Sequence, residues 1–302
     1  MSIQQKTVAV VVVTYNRKAL LQECLDALLD QDGRNREIIV VDNASTDGTE
    51  AFVRDSYSDR VIYYNTGKNL GGAGGFNYGM KRALERGCDY IWLMDDDCVV
   101  NDTSLSGLLA EAERLDDAFG FLSSRVLWTD GSLCNMNIQK KSYSQKVSEE
   151  DTAVTGVIMA TFVSFFVRAE TVREVGFPIT EFFIWADDLE YSRRISRKHP
   201  CYYVPQSTVL HKTKRNLGSN LPADDSENLS RYSYAYRNEY YLYRAEGIKG
   251  RIYYWTKRMY HIAKILLKSG RKMEKIRIIR NAVTEGKRFF PEVEHPDTDG
   301  VI

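Results

Sequence analysis

The chain has 302 residues, 43% hydrophobic and 27% charged, with 41 basic and 41 acidic residues and no net charge. This is the composition of a globular protein with length for a large core and one or two domains, and its bulk charge selects no polyanionic partner. Five scattered cysteines without a CxxC pair argue against a zinc ribbon or a disulfide framework and fit reduced thiols.

The opening MSIQQKTVAVVVV has one basic residue before a strand-like run. It lacks the charged segment and small-residue cleavage site of a signal peptide. The longest apolar stretch, residues 157–167, is far short of the ~20 residues needed to span a bilayer. The expectation is a cytoplasmic protein.

TVAVVVVTYN (7–16) is a near-continuous β-branched run, as expected of a strand buried on both faces. Leu20, Leu21, Cys24, Leu25, Leu28 and Leu29 then fall on one helical face, with Asn16 as the expected N-cap. EIIVVDN (37–43) is a second buried strand. The helix after it carries Asp47 and Glu50 at capping-box spacing. RVIYYN (60–65) is a third strand, and a glycine-rich turn leads from it into another helix. DYIWLM (89–94) is the fourth strand. Strands alternating with helices predict a parallel sheet with crossover helices.

The second half is less regular. Residues 119–133 predict a strand and a hairpin turn at Asp130 and Gly131. Residues 161–176 predict a strand and a short helix stopped near Gly176. Residues 182–198 predict a turn opening a helix whose first turn holds Asp187 and Asp188, and residues 201–214 a strand ending near His211. NLGSNLPADDSENLS (216–230) predicts a loop or mobile lid. The chain divides by composition into residues 1–220 and a helical, basic and tyrosine-rich region, 221–302.

Parallel sheets bind ligands beyond the carboxyl ends of their strands. TYNR, DN, GKN and DDD follow the four strands, so four polar clusters share that edge. The glycine run lacks the third glycine of a dinucleotide fingerprint, having Asn77 there, and no GK[ST] is present to make a P-loop. The triplet Asp95, Asp96 and Asp97 needs a reason, since two like charges ~5 Å apart repel by roughly 3 kcal/mol at an effective dielectric of ~20. In extended backbone Asp95 and Asp97 would point the same way and could share one ion. Oxygen ligands suit Mg²⁺ or Mn²⁺, which commonly complete their shell with substrate phosphates. Asp96 would face elsewhere, to orient a neighbour, contact the donor or hold the turn. Cys98, beside the triplet, is expected to be a small buried residue.

VVVTYNR, IIVVDNASTDGT, NLGGAGGFNYG and LMDDDCVV resemble the successive landmarks of family 2 glycosyltransferases. WADDLEYSRRI resembles the motif that supplies their catalytic base, and FIWADD with the triple Asp is most similar to a galactofuranosyltransferase-like branch that includes rhamnosyltransferases. The resemblance covers about residues 6–215. It implies a GT-A α/β fold, a Rossmann-like mixed sheet flanked by helices, here with a C-terminal helical region. It also implies inverting, metal-dependent transfer from a nucleotide diphosphosugar. By position, Thr14, Tyr15 and Arg17 would line the nucleotide pocket, Asp42 would accept from the base, and Asn69 would lie near the donor. Asp95 and Asp96 belong to the donor side, and Asp95, Asp97 and His211 to the Mn²⁺ or Mg²⁺ site. Asp188 is the expected base, with Asp187 second, since the second Asp of the pair matches the family's base; Ala186 stands where the family often has Glu. Helix spacing puts Asp187 beside Tyr191. Trp185 either stacks on an acceptor sugar or is an ordinary buried aromatic.

The expected donor is UDP-galactofuranose, then dTDP-rhamnose, and the expected acceptor a growing, lipid-linked cell-surface polysaccharide. A non-catalytic nucleotide-sugar-binding subunit of an assembly complex is disfavoured because metal acids and a base candidate are both present. A nucleotidyltransferase would want a glycine-rich basic loop where TYNRKA stands. Residues 251–288 hold twelve basic and two acidic residues, and Ile252, Trp255, Met259, Ile262 and Leu266 form one helical stripe. Such a region suits peripheral docking on an anionic membrane, at its inner face. Its other readings are a homo-oligomer interface and a plain packed helix. Nucleic-acid binding lacks a supporting motif.

Overall fold

The β-branched run becomes β1 (Val8–Thr14), buried along its whole length. In the computed structural model, which describes residues 6–31 and 35–296, Val8, Val10 and Val12 enter one core and Ala9, Val11 and Val13 the other. This two-residue alternation places apolar layers on both faces of the sheet. The opening residues 1–5 lie outside the described set.

β1 pairs in parallel with β2 (Arg36–Asp42) and β4 (Tyr90–Asp95), and β2 with β3 (Ile62–Asn65). Helices α1 (Lys18–Leu29), α2 (Thr49–Tyr57) and α3 (Gly71–Glu85) make the crossovers. The register sets Thr14 opposite Asp42, and Asp42 opposite Asn65, while Val13 pairs with Asp95. The polar clusters therefore do share one edge.

The remaining strands make the sheet mixed. They are β5 (Cys98–Val100), β6 (Phe121–Leu127), β7 (Thr155–Gly156), β8 (Phe165–Arg168) and β9 (Tyr202–His211), in the order β3-β2-β1-β4-β8-β6-β9-β5 with β7 on β9. The turn at Asp130 and Gly131 forms, with Gly131 at φ +85° and Trp128 N–H donating to Ser132 O. Helices α4 (Ser104–Arg114), α5 (Ala169–Val175) and α6 (Asp187–Ser196) flank this half.

Two expected caps do not form. Asn16 is at φ +53°, and its Oδ1 accepts from Thr46 N–H across to the next loop, 2.7 Å. Arg17 precedes α1 and gives it no side-chain cap. Asp47 accepts from Thr49 and Lys18 N–H, whereas Glu50 pairs with Arg54 and Asn65, so no reciprocal capping box exists.

The C-terminal region is α7 (Tyr232–Arg244), α8 (Gly247–Lys268) and α9 (Lys272–Gly286). The preceding segment, expected as a loop or lid, carries two short 3-10 turns whose Leu221 and Leu229 are buried in the same core as Tyr236, Ile265 and Ile279. The predicted α8 stripe faces solvent: Ile252, Trp255, Met259 and Leu266 are exposed and Ile262 half-buried, while Tyr254 and Ile265 make the packing face. No helix among the described residues is long and apolar enough to cross a membrane.

Candidate active site

β4 delivers Asp95, and the chain turns at once through Asp96 and Asp97 into β5. Extended backbone thus ends at Asp95, and strand alternation is not what orients Asp97. Position comes instead from β5 pairing with β9, which sets Cys98 opposite His211. Asp97 Oδ1 and His211 Nε2 then lie 2.9 Å apart, both residues buried. Asp97, Cys98 and His211 offer ligand atoms within 4.8 Å of one another. Asp95 is not in that set.

Asp96 has a defined role. It accepts from Thr14 Oγ1 at 2.7 Å and from Arg17 Nη1 at 3.2 Å, and the same Arg17 nitrogen donates to Asp97 Oδ2 at 2.9 Å. It ties the acidic turn to the end of β1. Burial pushes Asp96 up to about 6, against the pull of Arg17 and Thr14. Asp95 is raised by burial and then by Asp97. Burial would raise Asp97 too, but its bond to His211 and the nearby Arg17 hold it below the ordinary carboxylate range.

His211 is oriented from behind. Asn137 Nδ2 donates to Thr161 Oγ1, which turns Asn137 Oδ1 toward His211 Nδ1 at 2.7 Å. With Nδ1–H donated there, the Nε2 lone pair of a neutral His211 faces the Asp97 carboxylate. A cation must sit between them, either a proton or a metal ion. Burial opposes the proton, yet the bond to Asp97 raises His211 to about 10. A carboxylate and an imidazole held by an outer amide fit a divalent ion such as Mn²⁺.

On the nucleotide side, Tyr15 is 44% exposed and Thr14 buried. Asp42 is buried, accepting from Ser45 N–H and from Tyr63 Oη at 2.6 Å. Asn69 Oδ1 accepts from Gly71 N–H and so shapes the turn into α3. Gly71 is at φ +71°, and a Cβ there would sit 2.1 Å from Phe183 O. That close approach joins the glycine turn to the loop before Asp187.

The loop itself is strained. Phe183, Trp185 and Ala186 have φ of +61°, +67° and +63°, conformations that non-glycine residues hold only when their surroundings impose them. The clamp is Asn238 of α7, fully buried, whose Nδ2 donates to Phe182, Ile184 and Trp185 carbonyls at 2.9, 3.1 and 2.8 Å. Arg237 donates to Glu181 O at 2.6 Å. Trp185 lies half-buried against Tyr232 and beneath Arg231.

α6 opens with Asp187 and Asp188. Asp187 is buried, and burial, then the neighbouring Asp188, raise its pKa well above the ordinary carboxylate value. Asp188 is half-buried, accepts from Leu189 N–H at 2.7 Å, and is pushed by burial up to about 6, with Lys140 opposing. Tyr191 turns into the core against Phe162 and Phe165, and its hydroxyl bonds neither Asp187 nor any other described group. Sequence reasoning missed Asn137, Lys140, Arg237 and Asn238. Only Asn238, polar within a tyrosine-rich helix, carried any signal.

The description Glycosyl transferase family 2 matches residues 9–168. The chain is 29% identical over 270 residues to galactofuranosyltransferase GlfT1 of Mycolicibacterium smegmatis, covering 81% of this chain and 85% of that protein. This span is longer than residues 6–215. It is also 29% identical over 160 residues to the GalNAc(5)-diNAcBac-PP-undecaprenol beta-1,3-glucosyltransferase of Campylobacter jejuni, covering 51% of this chain and 48% of that protein. Among solved structures, GalNAc-T7 with UDP, GalNAc and Mn2+ superposes with a TM-score of 0.65 at 14% identity, over 92% of this chain and 54% of that one. S. aureus TarS 1-349 gives a TM-score of 0.54 at 15% identity, over 94% and 72%. These likenesses show the GT-A fold. On sequence, fold and family match together, the chain belongs to glycosyltransferase family 2.

Proposed function

We propose that this glycosyltransferase moves galactofuranose from UDP-galactofuranose to a growing, lipid-linked cell-surface glycan, with inversion. The observation that carries the reading is the buried Asp97–His211 pair, 2.9 Å apart where β5 pairs with β9, in a chain whose α6 opens with Asp187 and Asp188. Asp97 and His211 would hold a Mn²⁺ or Mg²⁺ ion, with Asp95 alongside. Such an ion, when bound, neutralises charge on the diphosphate leaving group as a Lewis acid. Thr14, Tyr15, Arg17, Asp42 and Asn69 border the nucleotide. Asp188 takes the proton of the attacking acceptor hydroxyl, and Trp185 offers an aromatic face to the acceptor.

The galactofuranosyltransferase relatives support the donor, and the PP-undecaprenol acceptor in the Campylobacter jejuni relative's name supports a lipid-linked one. The solvent-facing apolar stripe and basic residues of α8 support a peripheral position on an anionic membrane. Thermal stabilisation by a panel of nucleotide sugars tests the donor. UDP-galactofuranose with Mn²⁺ should raise Tm most. A larger rise with dTDP-rhamnose would replace it.

A further inference from the structure

A cavity of about 370 Å³ opens between the loop after β9, the segment after β6 and the solvent side of α8. Its walls include Asn135, Lys146, Asn216, Asn220, Tyr260 and Lys264, and no carboxylate lines it. Neither Lys146 nor Lys264 forms an ion pair with a carboxylate among the described residues; Lys264 lies over the Tyr260 ring at 4.4 Å. The wall is built by two asparagines. Asn135 N–H donates to Asn216 Oδ1 at 2.6 Å, Asn135 Nδ2 donates to Asn216 O at 3.0 Å, and Asn216 Nδ2 donates to Leu133 O at 3.0 Å. Amides and two free ammonium groups around a preformed concavity suit a compact polyanion.

The cavity's rim is apolar on one side. On α8, Tyr260 and Lys264 are one turn apart, and Met259, Ala263, Leu266 and Leu267 continue around the helix from them, all exposed. A charged pocket beside an uncovered apolar surface matches a ligand that is anionic at one end and apolar at the other. One chain segment links the cavity wall to the residues around His211. Asn135 lies two residues before Asn137, which holds His211. Lys146 acts electrostatically on Lys140, and Lys140 on Asp188.

Building on the lipid-linked acceptor of the proposed reaction, we propose that this cavity binds the acceptor's diphosphate, with its lipid chain along the exposed apolar surface of α8. The two lysines hold the diphosphate against the rigid asparagine wall, and the sugar end is left to extend toward Asp188.

The test uses the full chain in EDTA, which removes the metal-dependent nucleotide site from the measurement. Farnesyl diphosphate, farnesol and inorganic pyrophosphate are titrated into the wild type and into Lys146→Gln/Lys264→Gln. Farnesyl diphosphate should bind at least about tenfold tighter than either other probe, and the double variant should lose about tenfold of that affinity. The proposal is overturned if the double variant binds farnesyl diphosphate as wild type does. Equal binding of farnesol would mean a purely greasy surface, and equal binding of pyrophosphate a free-anion site; each overturns it too. Mn²⁺-dependent UDP binding, measured in parallel, should be unchanged in the double variant. Its absence from the wild type would count against the transferase reading and not against this cavity.

Discussion

In the proposed reaction, Asp188 is the residue on which the chemistry turns. A general base works as a carboxylate, and burial has moved this one up to about 6. Transfer should therefore be full above that value and fall as pH drops through about 6, tenfold per pH unit. A pH–rate profile checks this; a flat profile down to pH 5 would refute the assignment. Asn137 offers a second residue-scale prediction. Removing the amide that orients His211 (Asn137→Ala) should weaken Mn²⁺ affinity about 10- to 100-fold, read from the Mn²⁺ dependence of UDP binding, and cost about 1–3 kcal/mol of stability because the buried His211 Nδ1–H loses its acceptor. The acidic triplet was legible as the end of a buried strand because four apolar residues lead to it. Asp96's part was not, because its partners Thr14 and Arg17 lie some eighty residues earlier and meet it only through the β1–β4 pairing.

Among the elements, the first four strands were legible because β-branched runs buried on both faces leave one interpretation. The caps were not. Asn16 and Glu50 have the right identity and spacing, but Thr46 of the next loop takes the side chain of Asn16, and Arg54 of the same helix together with Asn65 of β3 takes that of Glu50. The element that matters most for the site is the loop before α6. Its left-handed residues are held by α7 through Asn238. Replacing it (Asn238→Leu) leaves three carbonyls without their donor and should cost about 2–3 kcal/mol of stability. Chemical denaturation reads that loss, and kcat should fall more than donor binding because the loop carries Asp187 and Asp188. Unchanged stability and kcat would show that the loop needs no clamp.

For the whole molecule, the change in composition near residue 220 was visible, whereas the bonds across it were not. Glu246, at the junction of α7 and α8, pairs with Arg193 of α6 and with Arg197 just beyond it, and accepts from Tyr143. Farther on, Phe177 N–H donates to Glu294 O, and Lys81 pairs with Glu294, so the segment after α9 straps back over α3. These contacts join residues dozens to hundreds of positions apart, which no local pattern announces. A chain cut after residue 220 should consequently lose cooperative thermal unfolding and all transfer. A sharp transition and retained UDP binding in that fragment would show that the first region folds alone.

The proposed division between donor binding and proton removal runs along one edge of the sheet. Asp188→Asn tests it most directly, by calorimetric titration of UDP with Mn²⁺ alongside a transfer assay. UDP should bind as to wild type while kcat falls about a hundred- to ten-thousand-fold. Wild-type transfer by Asp188→Asn, or a loss confined to Asp187→Asn, would contradict the assignment.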